Sequence, residues 1–159
     1  MEEDIAYINT PLGVAKIIGD ADGLTSITVL NSDEPLTDVI PESLEDAVYQ
    51  LNEYFEGIRT NFDLKLNPEG TTFQKKVWVA LQNIPYGKST SYLELAKSLG
   101  DPNATRAAAS ANARNPLWIV VPCHRVIGLD GSLTGYAGGL HRKQWLLNHE
   151  SPFKQQSLF

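Results

Sequence analysis

The chain has 159 residues, which fits one domain of ordinary size, or one with a small appendage. Its single cysteine, Cys123, excludes an internal disulfide and suits a reducing compartment, and no apolar run approaches the about 20 residues of a membrane span. The formal net charge of −6 hides an asymmetry: residues 1–70 carry fifteen acids and three bases, residues 71–159 four acids and ten bases. The basic half suits a polyanionic partner, against the plainer reading of two solvated surfaces of opposite sign. The start, Met1-Glu2-Glu3-Asp4, lacks the basic residues of a signal peptide, so a cytoplasmic protein is expected.

In chain order, Ile5–Ile8, Val14–Ile18 and Leu24–Leu30 are apolar runs of strand length. Asp20-Ala21-Asp22-Gly23, between the last two, reads as a hairpin turn. Residues 31–42 read as loop. A helix is expected from Ser43 to about Gly57, with Leu44, Val48, Leu51 and Phe55 on one face. Asn61–Leu66 alternates polar and apolar, the pattern of another strand. Asn67-Pro68-Glu69-Gly70 breaks the chain and sets the expected boundary. This gives a 1–70 α/β domain, a 71–150 domain and a 151–159 tail.

The second part opens on Thr71-x-x-Gln74, a capping box, followed by Phe73, Val77, Trp78 and Leu81 at helical spacing. Pro85-Tyr86-Gly87-Lys88 makes a turn. Ser91-x-x-Glu94 caps a short helix through Leu95 and Leu99, which Gly100 ends. Asp101-Pro102 starts the next helix, whose side chains beyond Arg106 are small. Helix, turn and helix suggest a helix-turn-helix. A helix this bare brings its backbone close to another surface; the plainer reading is a close-packed alanine helix. Leu117–Val121 reads as a strand that delivers Cys123. Leu129–Tyr136 is hairpin-like and forms a wing, Gly138-Gly139 breaks the chain, and Leu140–His149 reads as a last helix. The expected fold is α/β: a small β-sheet-plus-helix N-terminal domain, then a mostly helical winged helix-turn-helix-like domain.

Cys123 sits in Pro122-Cys123-His124-Arg125-Val126. A lone cysteine is most often an inert buried residue, but its neighbours here carry chemistry. His124 and Arg125 both favour a thiolate if they point inward, and His124 is the local candidate base. A histidine base needs a partner on its other ring nitrogen. Glu150, at the end of the last helix, is the candidate for that role. His141 and His149 read as surface residues. One cysteine and three histidines show no metal-ligand spacing, so neither a metal nor another cofactor is expected.

Within this context the motif resembles the O6-alkylguanine-DNA alkyltransferase family. Residues 71–150 carry the resemblance, through Ser91-Tyr92, Arg106, Asn115-Pro116, the Cys123 motif, Gly135-Tyr136-Ala137-Gly138-Gly139 and Glu150. Residues 1–70 match only in size and β-rich character. The resemblance implies single-turnover DNA repair, with Cys123 as nucleophile and final alkyl acceptor. It makes His124 the base that acts through a water and Glu150 its orienter. Tyr92 assists the leaving guanine, and Asn115 braces the cysteine turn. Arg106, Ala107, Ser110, Ala113 and Arg114 fall on the DNA-facing helix, with Arg106 filling the gap left by the flipped base. Arg125, Val126, Tyr136 and Ala137 fall around that base, with Tyr136 stacking on it. The family often has serine where Ala137 stands, which removes one side-chain hydrogen bond to the lesion.

Some relatives bind zinc through an N-terminal domain, but residues 1–70 here contain no cysteine or histidine. The implied partner is duplex DNA carrying O6-alkylguanine, with O4-alkylthymine left open, and the implied state is a monomer. The alternative reading is a lesion sensor of the same fold that does not use its cysteine for transfer; a cysteine hydrolase is the third. The end, Gln155-Gln156-Ser157-Leu158-Phe159, resembles the short peptide by which bacterial repair and replication proteins dock on the sliding clamp. Gln155, Leu158 and Phe159 are its anchors.

Overall fold

The structure, a computed structural model, describes residues 2–131, 133, 136 and 138–152. The chain divides into two compact units, Met1–Glu69 with Pro116–Trp118, and Gly70–Asn115 with Ile119–Phe159.

The first unit is built on an antiparallel sheet in the order β1-β2-β3 (β1 Asp4–Thr10, β2 Gly13–Asp20, β3 Gly23–Val29). Alternation turns Ala6, Ile8, Ala15, Ile17, Ile27 and Val29 inward. The β2–β3 turn is fixed by Asp20, whose carboxylate accepts from the Asp22 N–H at 2.8 Å. Gly23 follows at φ +131°, where a Cβ would meet the Lys65 carbonyl oxygen at 2.8 Å. Helix α1 (Glu45–Phe55), preceded by a 3-10 turn at Glu42–Leu44, buries Leu44, Ala47, Leu51 and Tyr54. Val48 and Phe55, expected on the inner face, are only half-buried, so the helix is slightly rotated from that expectation.

Asn61–Leu66 is not a strand. Leu66 makes one isolated parallel bridge to Leu24. Where a ladder would need a neighbouring backbone, the Gln50 amide takes its place. It donates to the Asp63 carbonyl at 3.0 Å and accepts from the Asp63 N–H at 2.9 Å. Pro116–Trp118 belongs to this unit because Ile27 N–H donates to the Pro116 carbonyl and Trp118 N–H to the Ile27 carbonyl, at 2.8 and 3.1 Å. The rest of the apolar run is not a strand either. It turns at Ile119, which is buried and sits at φ +71°, a costly conformation for a β-branched residue.

The second unit holds α2 (Thr72–Leu81), α3 (Tyr92–Ser98), α4 (Thr105–Ala113) and α5 (Leu140–Glu150). Thr71 and Gln74 form a complete capping box at the start of α2. Ser91 caps α3 through the Glu94 N–H. Asp101 caps the 3-10 turn Pro102–Ala104 that leads into α4. Together α3 and α4 form the helix-turn-helix, and α4 packs on α2 and α3 through Ala108 and Ala111. The Trp78 indole on α2 donates to the Ala111 carbonyl at 2.9 Å. Strands β4 (Thr90–Ser91) and β5 (Val126–Ile127) pair in parallel and bring the start of α3 beside the Cys123 segment. Of the expected wing, a turn is described in which Gly131 N–H donates to the Gly128 carbonyl. Ser132, Thr134 and Gly135 lie outside the described residues.

Candidate active site

Cys123 is presented by two consecutive tight turns. Its N–H donates to the Val121 carbonyl at 2.8 Å across Pro122, at φ −82°, ψ 65°, an inverse γ-turn. Cys123–Arg125 then make one 3-10 turn before β5. With three residues per turn, these three side chains leave in different directions, yet all three are buried.

Each is met by α5 or by a neighbouring loop. Lys143, Leu146 and Glu150 lie at i, i+3 and i+7 of α5, so they share its buried stripe. Glu150 Oε2 is 2.7 Å from His124 Nε2. Arg125 Nε and Nη2 donate to the two oxygens of the same carboxylate at 2.8 and 3.1 Å, and its Nη1 donates to the Ile84 carbonyl at 2.7 Å. Arg125, read from the sequence as a lesion contact, is therefore turned inward onto Glu150; a carboxylate 25 residues away claims it. The adjoining loop is close enough to require glycine. Gly87 has φ +79°, and a Cβ there would sit 3.1 Å from the Glu150 carbonyl oxygen.

These contacts set the protonation states. Burial alone would raise the Glu150 carboxyl, but the hydrogen bonds from His124 and Arg125 and the charge of Arg125 outweigh it and bring it down to about 2. Burial lowers His124, and Arg125 and Lys143 push the same way against Glu150. The consistent state is an ionised Glu150 balanced by Arg125, with His124 neutral. Its Nε2–H then donates to Glu150, which leaves Nδ1 as an acceptor. That nitrogen is buried and has no hydrogen-bond partner among the described residues.

The thiol differs from expectation. Burial pushes Cys123 up to about 11, opposed by a hydrogen bond from the Asn115 side chain and by the charge of Lys143. Cys123 therefore rests as a thiol and must lose its proton as it reacts. Asn115 also donates to the Val121 carbonyl at 2.8 Å. Lys143 is fully buried; its ammonium donates to the Val126 carbonyl at 2.6 Å and lies 6.0 Å from the ring centres of both Tyr92 and Tyr136.

The remaining residues separate cleanly. Arg106, Ala107, Ser110 and Arg114 are exposed along one side of α4 and its C-terminus, with Ala113 half-buried; Ala108, Ala111 and Asn112 face inward. Val126 is buried, and Tyr92 and Tyr136 are half-buried. Ala137 lies outside the described residues, as does the Gln155–Phe159 segment. His141 is exposed, and His149 is half-buried and stacked on Trp145 at 4.8 Å. Among the described residues, no group of three His, Cys, Asp or Glu could hold a metal. The sequence reading missed Lys143 and Asn112. Lys143 had a findable signal, its seven-residue spacing from Glu150 on the same helix face. Asn112 is masked by the alanines around it.

The family described as 6-O-methylguanine DNA methyltransferase, DNA binding domain, matches residues 72–152, and its ribonuclease-like domain matches residues 5–68. A methylated-DNA–protein-cysteine methyltransferase of Methanosarcina acetivorans is 45% identical over 91% of this chain and 96% of its own length. The constitutive one of Bacillus subtilis is 46% identical over 89% and 91%. The crystal structure of the Mycobacterium tuberculosis O6-methylguanine methyltransferase superposes with a TM-score of 0.84 at 40% identity, over 99% of this chain and 100% of that one. The structure of the M. tuberculosis protein in complex with DNA gives 0.82 at 43% identity, over 96% and 98%.

Proposed function

Since the chain belongs to the 6-O-methylguanine DNA methyltransferase family, we propose that it repairs DNA by moving an alkyl group from O6 of guanine onto Sγ of Cys123. The observation that carries this is a buried Cys123 followed in one turn by a buried His124, whose Nε2 is held by Glu150 at 2.7 Å and whose Nδ1 is left as an acceptor.

The chemistry is an in-line displacement. The Sγ–C bond forms as the C–O6 bond breaks. The thiol proton passes to His124 Nδ1, directly or through one water, and Glu150 steadies the imidazolium that results. A resting thiol near 11 makes this transfer a necessary part of the reaction. Asn115 and Lys143 supply a hydrogen bond and a positive charge to the sulfur as it becomes anionic. Tyr92 donates to the departing guanine. The product is a thioether, which offers water no activated carbonyl, so each molecule reacts once. Arg125 keeps Glu150 ionised and in place and does not touch the lesion.

A base inside a duplex must leave the stack before the thiol reaches it, at a cost of a few kcal/mol. The exposed side of α4 supports a close approach to DNA, since Ala107, Ser110 and Ala113 are small and Arg106 and Arg114 are cationic. Arg106 fills the gap left by the base, and Tyr136 stacks on it. Arg106→Ala should slow repair of duplex DNA about tenfold, by the loss of part of that extrusion energy, and barely change reaction with free O6-benzylguanine. Gln155, Leu158 and Phe159 form the proposed docking peptide for a sliding clamp. Deleting 155–159 should leave transfer in solution intact and remove clamp binding. No helix among the described residues is long and apolar enough to cross a membrane, and the proposed compartment is the cytoplasm.

Mass spectrometry after mixing with duplex O6-methylguanine DNA tests the whole reading. One methyl group should be retained per protein, on the Cys123 peptide. An unmodified protein would leave a lesion sensor, and repeated turnover without an adduct would point to a hydrolase.

A further inference from the structure

Asn112 lies on the inner side of α4 and is 1% exposed. Its Nδ2 reaches the carbonyl of Cys123 at 3.4 Å, while its Oδ1 is buried without a hydrogen-bond partner among the described residues. Three residues on, Asn115 donates to the Val121 carbonyl at 2.8 Å. The two amides thus hold the two carbonyls on either side of Pro122, which has no N–H of its own to offer. The same helix end is anchored on its other side, where the Trp78 indole donates to the Ala111 carbonyl. The Asn115 N–H donates to the Asn112 carbonyl at 3.3 Å, so the two rungs are themselves joined.

A half-satisfied amide in a buried place is a poor choice for stability. Burying an oxygen without a donor costs free energy, and an apolar group of the same shape would avoid that cost. Leucine is nearly that group. The worth of this asparagine lies in what its N–H holds.

We propose that Asn112 is a positioning residue for the nucleophile: with Asn115 it brackets the Val121–Cys123 turn and ties it to α4. This deepens the reading above, since α4 is the helix proposed to seat on DNA. Seating the helix and aligning the sulfur then become one event. Without the Cys123 rung the turn hangs on Asn115 alone, and the sulfur drifts from both the Asn115 amide and the line of attack.

The side chains that act on the thiol are Asn115, by a hydrogen bond, and Lys143 of α5, by its charge, and Asn112→Leu alters neither directly. The experiment compares wild type, Asn112→Leu, Asn112→Asp and Asn112→Ala in three measurements: thermal midpoint, rate of transfer from duplex O6-methylguanine DNA, and rate of Cys123 alkylation by iodoacetamide against pH. Asn112→Leu should keep or raise the midpoint yet slow transfer at least about tenfold, as small misplacements of reacting atoms do. Its thiol titration should move upward as the sulfur loses the Asn115 hydrogen bond. Asn112→Asp, which brings a negative charge and no N–H, should move it further. Should Asn112→Leu fail to fold, Asn112→Ala carries the same expectation for rate and titration. Wild-type transfer with an unmoved titration in Asn112→Leu or Asn112→Ala would overturn the proposal. So would a loss of rate that merely follows a loss of midpoint. If wild type itself transfers no methyl group, the repair reading falls, and the iodoacetamide titration still decides the role of Asn112.

Discussion

The two units fill their interiors differently. The first is closed over apolar side chains, and its only buried polar ones among the described residues are Thr10 and Gln50. Both are neutral and hydrogen-bonded, Thr10 to the Gly13 carbonyl and Gln50 to the Asp63 backbone. The second buries His124, Arg125, Arg142, Lys143 and Glu150, five basic or acidic side chains within 27 residues of sequence. Charge is costly to bury unless it is paired, and here the pairing itself is chemistry: Glu150 sits between a cation that keeps it ionised and a histidine that it steadies. One interior is a scaffold. The other holds expensive groups that the proposed reaction would use, His124 to take a proton and Glu150 to steady it.

The largest expected effect falls on the reactive interior alone. Cys123→Ala should abolish alkyl transfer, with duplex binding kept, measured by retained methyl and by fluorescence anisotropy. Residual transfer in that variant would place the acceptor elsewhere and dissolve the contrast. Next is Arg125→Met. Breaking a buried pair from one side costs about 3–5 kcal/mol, because Glu150 loses the guanidinium that balances its buried charge. Urea unfolding should show that loss. The acid limb of the transfer rate should also shift to higher pH, since Arg125 is one of the groups holding His124 below its usual value. A variant as stable as wild type would mean that the ion pair is not closed in solution.

The scaffold has its own sharper test in Gln50→Leu. The substitution is nearly isosteric but strips both hydrogen bonds from the Asp63 backbone. Leaving that N–H and C=O without a protein partner should cost about 1–3 kcal/mol. Transfer at low temperature should be unchanged. A slower reaction at full stability would show that the scaffold does more than hold.

How much of this was readable in the chain divides along the same line. Local chemistry could be read directly. The Thr71 and Gln74 capping box, the Asp20–Gly23 turn and the short helices around Gly100 follow from neighbours a few residues apart. The pairing of His124 with Glu150 was legible because a histidine base requires an acid and the second part has few. What failed depended on distant partners. Leu117–Val121 has a strand's composition, but an unbroken apolar run does not distinguish a strand from a buried turn, and Ile119 makes it a turn. Asn61–Leu66 has a strand's alternation, yet a side chain from α1 occupies its hydrogen-bonding edge. Arg125 has the look of a DNA contact until Glu150 claims it. Asn112 is a single amide in an alanine-rich helix, and only the carbonyl it meets gives it meaning.

The smallest effect expected is in the pH dependence of stability, where the buried groups act in opposite directions. Burial holds His124 below its ordinary value of about 6.5, so below that pH the unfolded chain gains a proton that the fold resists, and stability falls. Glu150 follows. Its folded value of about 2 lies beneath the unfolded carboxyl, so its contribution is complete above about pH 4.3 and fades as the pH drops toward 2. Cys123 works from the alkaline side. Its folded value of about 11 lies above the unfolded thiol at about 8.5, so its contribution is complete below that pH and is lost as the pH rises between the two. Each group can tilt the curve by at most about 1.4 kcal/mol per pH unit. Unfolding by urea from pH 5 to pH 10 should therefore decline at both ends. Cys123→Ala should flatten the alkaline decline and keep the acid one, while His124→Phe should remove the first part of the acid decline. An alkaline slope unchanged in Cys123→Ala would mean that the thiol is more open to water than its burial implies, and the proton transfer to His124 would then no longer be required.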